Sequence, residues 1–226
     1  MAVAFQASSQ GTVSTTSGGT ISSGNAPAVG NIIWVGAVNR LTGTTFTSTG
    51  DFTQIATITG TNFVMGFFYR VATSTTSSFT GVTISSASNF QHIVGGIITG
   101  ASDPVTFDST NSNSQGPTAA TGNISFQSLS GGANGGIVLD VIAQSAGGTW
   151  TISTHTETTD NNTGTQSTRT TLATSYALVS TNGSTPTGTG TPSSTSGNWG
   201  CITVFFPQAV TAPALPIIVQ PPRRSR

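Results

Sequence analysis

Few side chains in this sequence could do chemistry. In 226 residues there are six acids, two histidines and one cysteine. The acids are Asp51, Asp103, Asp108, Asp140, Glu157 and Asp160. Glycoside hydrolysis needs two carboxylates facing each other across a cleft, and six acids allow few such pairs. Asp103-Pro104 and Asp160-Asn161-Asn162-Thr163-Gly164 read as turn chemistry. The second resembles half a calcium loop, but its Gly is misplaced and no Glu closes it. His92 lies among apolar strand residues, which favours a satisfied core histidine over a ligand. His155 and Glu157, two apart on one strand face, could touch a metal, but two ligands fall short of a zinc site. Cys201, within Trp199-Gly-Cys-Ile-Thr-Val-Phe-Phe206, reads as a small buried apolar residue. It has no cysteine to pair with, and no electropositive setting to make it a nucleophile. A Gly-x-Ser-x-Gly elbow and a phosphate-binding Gly loop are both missing. No catalytic, metal or cofactor site is therefore expected, and the chain reads as a non-enzyme.

Sugar binding is harder to dismiss, because this sequence is rich in hydrogen-bonding side chains. A carbohydrate site also needs exposed aromatic faces. Trp34, Trp150 and Trp199 all lie in or beside apolar runs, where packing in a core is the default.

The elements that would carry such groups follow from the composition. Thr occurs 43 times and Ser 30 times, Lys is absent, and only 5% of residues are charged, with formal net charge zero. Ordinary domains are about a quarter charged. A nucleic-acid binder needs a basic stripe, which the body lacks, and a membrane-spanning helix needs about 20 consecutive apolar residues, which do not occur. Neither nucleic acid nor membrane is an expected partner. The dominant period is two. Residues 63–71 alternate Phe, Met, Phe, Tyr against Val, Gly, Phe, Arg; 137–144 alternate likewise; and 90–98 is apolar on both faces, as a central strand would be. Further strands are expected at 3–6, 31–38, 52–59, 78–85, 123–129, 149–155, 171–180 and 200–206. Residues 180–198 hold nothing apolar until Trp199 and nothing charged, and read as a long exposed loop. No helical stripe and no fixed repeat period stand out, which argues against a propeller or solenoid. The expected fold is all-β: an antiparallel, jelly-roll-like β-sandwich over 1–207.

Residues 208–226 differ. Proline at 213, 216, 221 and 222 forbids a helix or a central strand, so an extended, Pro-rich C-terminal arm is expected. Half of the six basic residues lie here, at Arg223, Arg224 and Arg226. Leu215, Ile217, Ile218 and Val219 are the expected apolar anchors on a neighbouring subunit, with the three arginines meeting acidic groups there.

Seven segments in order resemble a β-sandwich domain of bacteriophage virion proteins and related bacterial surface proteins. They are Val3-Ala-Phe-Gln-Ala-Ser-Ser-Gln-Gly-Thr, Gly30-Asn-Ile-Ile-Trp-Val-Gly-Ala-Val, Asp51-Phe-Thr-Gln-Ile-Ala, Phe67-Phe-Tyr-Arg-Val-Ala, Gly95-Gly-Ile-Ile-Thr-Gly-Ala-Ser-Asp-Pro-Val, Gly136-Ile-Val-Leu-Asp-Val-Ile-Ala and Trp199-Gly-Cys-Ile-Thr-Val-Phe-Phe-Pro. The chain departs from the pattern at Gly100-Ala-Ser-Asp and at Phe52, where the family has Gly-Val-Asp and Trp. The resemblance spans about 3–207 and contains no catalytic motif. It implies a structural protein of a phage particle, first of all a capsid decoration protein. Such a protein would be assembled in the host cytoplasm, displayed on the particle exterior and anchored by its arm. Its partners would be the major capsid protein or tail subunits and further copies of itself, as a trimer or lattice. The opening Met1-Ala-Val-Ala-Phe-Gln has no positive, apolar secretory pattern, which suits release by lysis. The rival is a minor tail or fibre protein binding a receptor or a host-surface glycan.

Overall fold

In the computed structural model the described residues are 2–11, 19–22, 26–40, 45–48, 51–60, 63–76, 78–84, 91–102, 112–119, 122–129, 134–146, 148–162, 170–181 and 186–210. They form sixteen β-strands and no helix. Two five-stranded antiparallel sheets lie face to face. The first is ordered β1 (Ala4–Gly11), β8 (Gln91–Thr99), β3 (Ile32–Asn39), β6 (Val64–Val71), β5 (Thr53–Thr59). The second is ordered β13 (Thr156–Asn162), β14 (Thr171–Val179), β11 (Gly136–Gln144), β16 (Asn198–Pro207), β9 (Ser112–Ala119). Between them lies the largest core, with Ile32, Trp34, Met65, Phe67, Val94 and Ile98 meeting Ile137, Leu139, Val141, Ile202, Val204 and Phe206. The sheets come close at Gly36, where an added Cβ would sit 2.8 Å from a Val141 methyl.

The central strands are apolar on both faces because both faces are covered. All eight residues of β3 and all nine of β11 are buried. A three-stranded sheet, β2 (Gly19–Ser22), β7 (Ser78–Ile84), β4 (Phe46–Ser48), belongs to the first sheet's side, and Phe46 packs on its outer cluster of Ile33, Val35, Ala37, Phe68 and Ile93. Another, β10 (Ile124–Ser125), β15 (Thr189–Pro192), β12 (Trp150–Ser153), covers the second sheet through Ile124, Phe126 and Trp150. The all-β antiparallel sandwich expected from the period-two pattern is the architecture found.

The two halves of the chain share one connectivity. Counting strands within each half, the large sheet runs 1-8-3-6-5 and the small sheet 2-7-4, both for β1–β8 and for β9–β16. This is a jelly-roll-like order, with the fifth strand joined to the large sheet beside the sixth, present twice. Finer details repeat as well. The bulge between Gln54 and Ala56, opposite Phe68 and Phe67, has its twin between Glu157 and Thr159, opposite Ser175 and Thr174. Among the described residues, the two non-glycines with positive φ, Asp51 at 62° and Thr154 at 74°, both stand three residues before those bulges. The exits of the halves pair with each other: Ala101 bridges Gln208, the Ser102 N–H donates to the Pro207 carbonyl, and the Ala209 N–H donates to Gly100.

Several polar segments differ from the expectation for physical reasons. Asp160-Asn161-Asn162, expected as a turn, is the end of edge strand β13 paired to β14. Within the loop expected over 180–198, Thr189–Pro192 form β15, with Gly190 and Pro192 buried. An edge or covering strand needs only backbone pairing, so it carries little apolar signal.

Candidate functional site

Two places in the described structure concentrate unusual side chains. One is buried. Asp140 stands mid-strand on β11, on the face shared by Val138 and Ile142, and its neighbours in register are Ser175 on β14 and Thr203 on β16. Both hydroxyls donate to its carboxylate, at 2.9 and 2.8 Å. The third partner is His155, set in the turn between β12 and β13, whose Nδ1 lies 2.5 Å from Asp140 Oδ2. His155 Nε2 lies 2.9 Å from the Pro186 carbonyl oxygen. A ring with an acceptor at each nitrogen needs two N–H groups, so this geometry selects the imidazolium. Burial works against that charge. The Asp140 hydrogen bond and charge, with the Pro186 carbonyl, outweigh it and raise the His155 pKa. Ser175 bonds the acid and not the histidine, and Pro186 occupies the nitrogen that a general base would use. The cluster therefore ties the covering sheet to the second large sheet and offers no nucleophile.

The first half carries an apolar twin of this cluster. Val35 stands four residues before the buried Asn39 that ends β3, as Asp140 stands four before the buried Gln144 that ends β11. Val35 faces Phe68 and Gly95 in register, where Asp140 faces Ser175 and Thr203. Phe52, following the left-handed Asp51, is buried against that row, as His155 is after Thr154. One plug design is apolar in one half and ionic in the other.

The second place is a groove of about 700 Å³ at the end of the sandwich where the chain leaves β16. Its walls include Gln6, Val29, Asn31, Thr99, Ala101 and Val210. Val29 and Val210 are 69% and 71% exposed, and with Leu178 they are the exposed large apolar side chains among the described residues. Gln6 lines this groove, and its Oε1 is buried within the chain without a hydrogen-bond partner.

The sequence-derived candidates fall as follows. His92 is buried, and burial, opposed by a Thr170 backbone hydrogen bond, lowers its pKa to about 4. The carboxylate beside His155 is that of Asp140, which sequence spacing does not reveal; Glu157 is exposed on β13. Cys201 is buried, its thiol pushed well above its usual pKa by burial and by the nearby Asp140 charge. Trp34, Trp150 and Trp199 are all buried, and the Trp150 indole N–H donates to Thr171. Among the described residues no three His, Cys, Asp or Glu cluster as metal ligands, and no helix is long and apolar enough to cross a membrane. Leu215, Ile217, Ile218, Val219, Arg223, Arg224 and Arg226 lie outside the described residues. Comparison with protein-family models, with curated proteins and with solved structures returns no match.

Proposed function

We propose that this chain is a non-enzymatic structural protein of a bacteriophage particle, a decoration protein on the capsid exterior that joins its neighbours through its C-terminal arm. The observation that carries this reading is the apolar groove where the chain leaves the sandwich, with Val29 and Val210 exposed in its walls. Exposed apolar side chains gathered beside a chain exit suit an attachment end. Two further features support it. The strongest titratable interaction described, Asp140 with His155, is closed on itself inside the fold. The surface carries few charges, so electrostatic repulsion between densely packed copies is small. The rival reading, a tail or fibre module that binds a receptor glycan, loses its aromatic platform because all three tryptophans are buried.

The test is a particle assay. Purified virions should contain the chain at stoichiometric copy number, in density on the capsid surface. Deleting 211–226 keeps the Ala101–Gln208 bridge, so the truncated chain should fold normally and fail to join the particle. Absence of the full chain from virions, or normal occupancy by the truncated chain, overturns the proposal.

A further inference from the structure

We propose that His155 is a proton-operated clasp on the covering sheet: its second ring proton fastens the segment from Pro186 into β15, and loss of that proton opens this segment while the two large sheets stay closed. The clasp is independent of the particle reading. It rests on where the two ring nitrogens end. Nδ1 meets the Asp140 carboxylate at 2.5 Å, and Nε2 meets the Pro186 carbonyl oxygen at 2.9 Å. The chain beyond Pro186 is laid on the ring itself. A Cβ added at Gly188 would stand 2.7 Å from His155 Nδ1 and 2.6 Å from the Phe126 ring, and the Gly188 carbonyl accepts the Phe126 N–H. The Phe126 and His155 rings lie 5.9 Å apart. One doubly protonated ring thus joins β11, the central strand of the second large sheet, to the approach to β15, the middle strand of the cover.

Removing one proton cannot leave both contacts in place. The remaining N–H stays on Nδ1, beside the negative charge of Asp140, and the Nε2 lone pair then faces the Pro186 oxygen with no hydrogen between them. The other tautomer sets a lone pair against the carboxylate, which is worse. A carbonyl oxygen that loses its donor in this way regains one by turning toward water, and Pro186 is only half-buried. The two sides of the clasp are unequal. Asp140 belongs to a strand paired over nine residues to β14 and over nine to β16. β15 is paired over four residues to β12 and over two to β10. The weakly paired side opens first, as low-stability segments of a fold do. The surrounding groups set the direction. Ser175 of β14 and Thr203 of β16 give hydroxyls to Asp140. The Cys201 thiol of β16 is kept protonated by burial and by the Asp140 charge. Phe126 and Gly188 bring no charge, and Glu157, two residues along β13, is exposed. Burial of the ring disfavours its charge, but the Asp140 hydrogen bond and charge, with the Pro186 carbonyl, raise its pKa above the ordinary histidine value. The clasp is therefore shut below that ordinary value and released as pH climbs through the raised one.

Hydrogen exchange read by mass spectrometry tests this on the full chain, from about pH 6 to about pH 9.5, corrected for the intrinsic rise of exchange with pH. Proton NMR of the His155 ring follows its titration in the same samples. At the acid end the ring should show both N–H protons. As the second is lost, protection of residues 187–191 should drop about tenfold or more, with the midpoint of the ring titration, while 137–144 and 200–206 keep theirs. His155→Gln, which cannot titrate, should hold 187–191 at one level of protection across the range. Should that variant not fold, the match of the two midpoints in the wild-type chain decides alone. A single ring proton at the acid end, a ring that does not titrate, or unchanged protection of 187–191 while it titrates overturns the proposal. So does loss of protection in β11 and β16 at the same midpoint, or a pH-dependent drop that persists in His155→Gln. The virion assay above stands or falls separately from all of these results.

Discussion

Replacing the ionic plug by its apolar twin should cost far less than removing either of its charges. The wild-type site buries the Asp140 carboxylate and the His155 ring against each other at 2.5 Å. Asp140→Val leaves the imidazole with only the Pro186 carbonyl, and His155→Phe leaves the carboxylate with two hydroxyls. Breaking a buried ion pair on one side costs about 3–5 kcal/mol, so each single variant should fall by that amount at pH 7. If the sites were independent, the double variant would fall by about 6–10 kcal/mol. The first half already shows the alternative packing, with Phe52 buried over Val35. In the double variant the buried charges are gone, and the remaining penalty is the lost acceptor of Ser175 and Thr203, about 1–3 kcal/mol. The coupling energy of the cycle is then about 6 kcal/mol. Urea unfolding, followed by fluorescence of Trp150 and Trp199 in the cluster beneath the covering sheet, measures all four proteins. Single variants that each cost under about 1 kcal/mol, or a double variant as unstable as the sum of the singles, would refute the twin-plug reasoning.

Two predictions concern pH. The His155 pKa is raised in the folded chain, so its stabilisation is complete below the ordinary histidine value and lost as pH climbs through the folded value. A melting-temperature profile should therefore fall on the alkaline side, and His155→Phe should remove that fall. His92 behaves oppositely: its pKa drops from 6.5 to about 4, so acidification between those values protonates the unfolded chain first and costs about 3 kcal/mol. His92→Leu should flatten that acid limb. At Gly188 an added Cβ would lie 2.6–2.8 Å from the Phe126 and His155 rings. Gly188→Ala should destabilise by about 1–3 kcal/mol, and shift the His155 titration seen by proton NMR. Cys201 should resist alkylation in the native chain and react fully in denaturant, given its burial and raised pKa.

The strands legible in the sequence are those whose side chains must fill a core. β6, β8 and β11 announce themselves through alternating Phe, Met, Ile, Val and Leu, because each is clasped between two layers. β9, with Pro117 in Ser112–Ala119, and β13, with Asp160-Asn161-Asn162, lie at sheet edges. There proline and short polar residues do no harm and give no pattern. The repeat within the chain is hidden for a related reason. Connectivity, bulges and left-handed turn residues are backbone properties, and Phe52 against His155 or Val35 against Asp140 preserve them while sharing no chemistry. Asp140 did leave a trace, since a carboxylate amid Gly136–Ala143 has to be paired inside a core. Its partner could not be read, because His155 reaches it from a turn whose course depends on the positive φ of Thr154.

The repetition of one eight-stranded unit along a single chain has a further meaning. Two identical subunits pressed together through the same sheets would carry every substitution twice, once on each side of the axis. A change that suited one side only would be ruled out by its effect on the other. Joined in tandem, the units vary separately. One keeps a hydrocarbon plug beneath Phe46 and Phe68 while the other holds a histidine–aspartate pair beneath its covering sheet. The exit of the first unit continues into the second, at Gly100–Ser102 beside Pro207–Ala209. The fused arrangement thus lets two units of one strand order carry different chemistry in one chain.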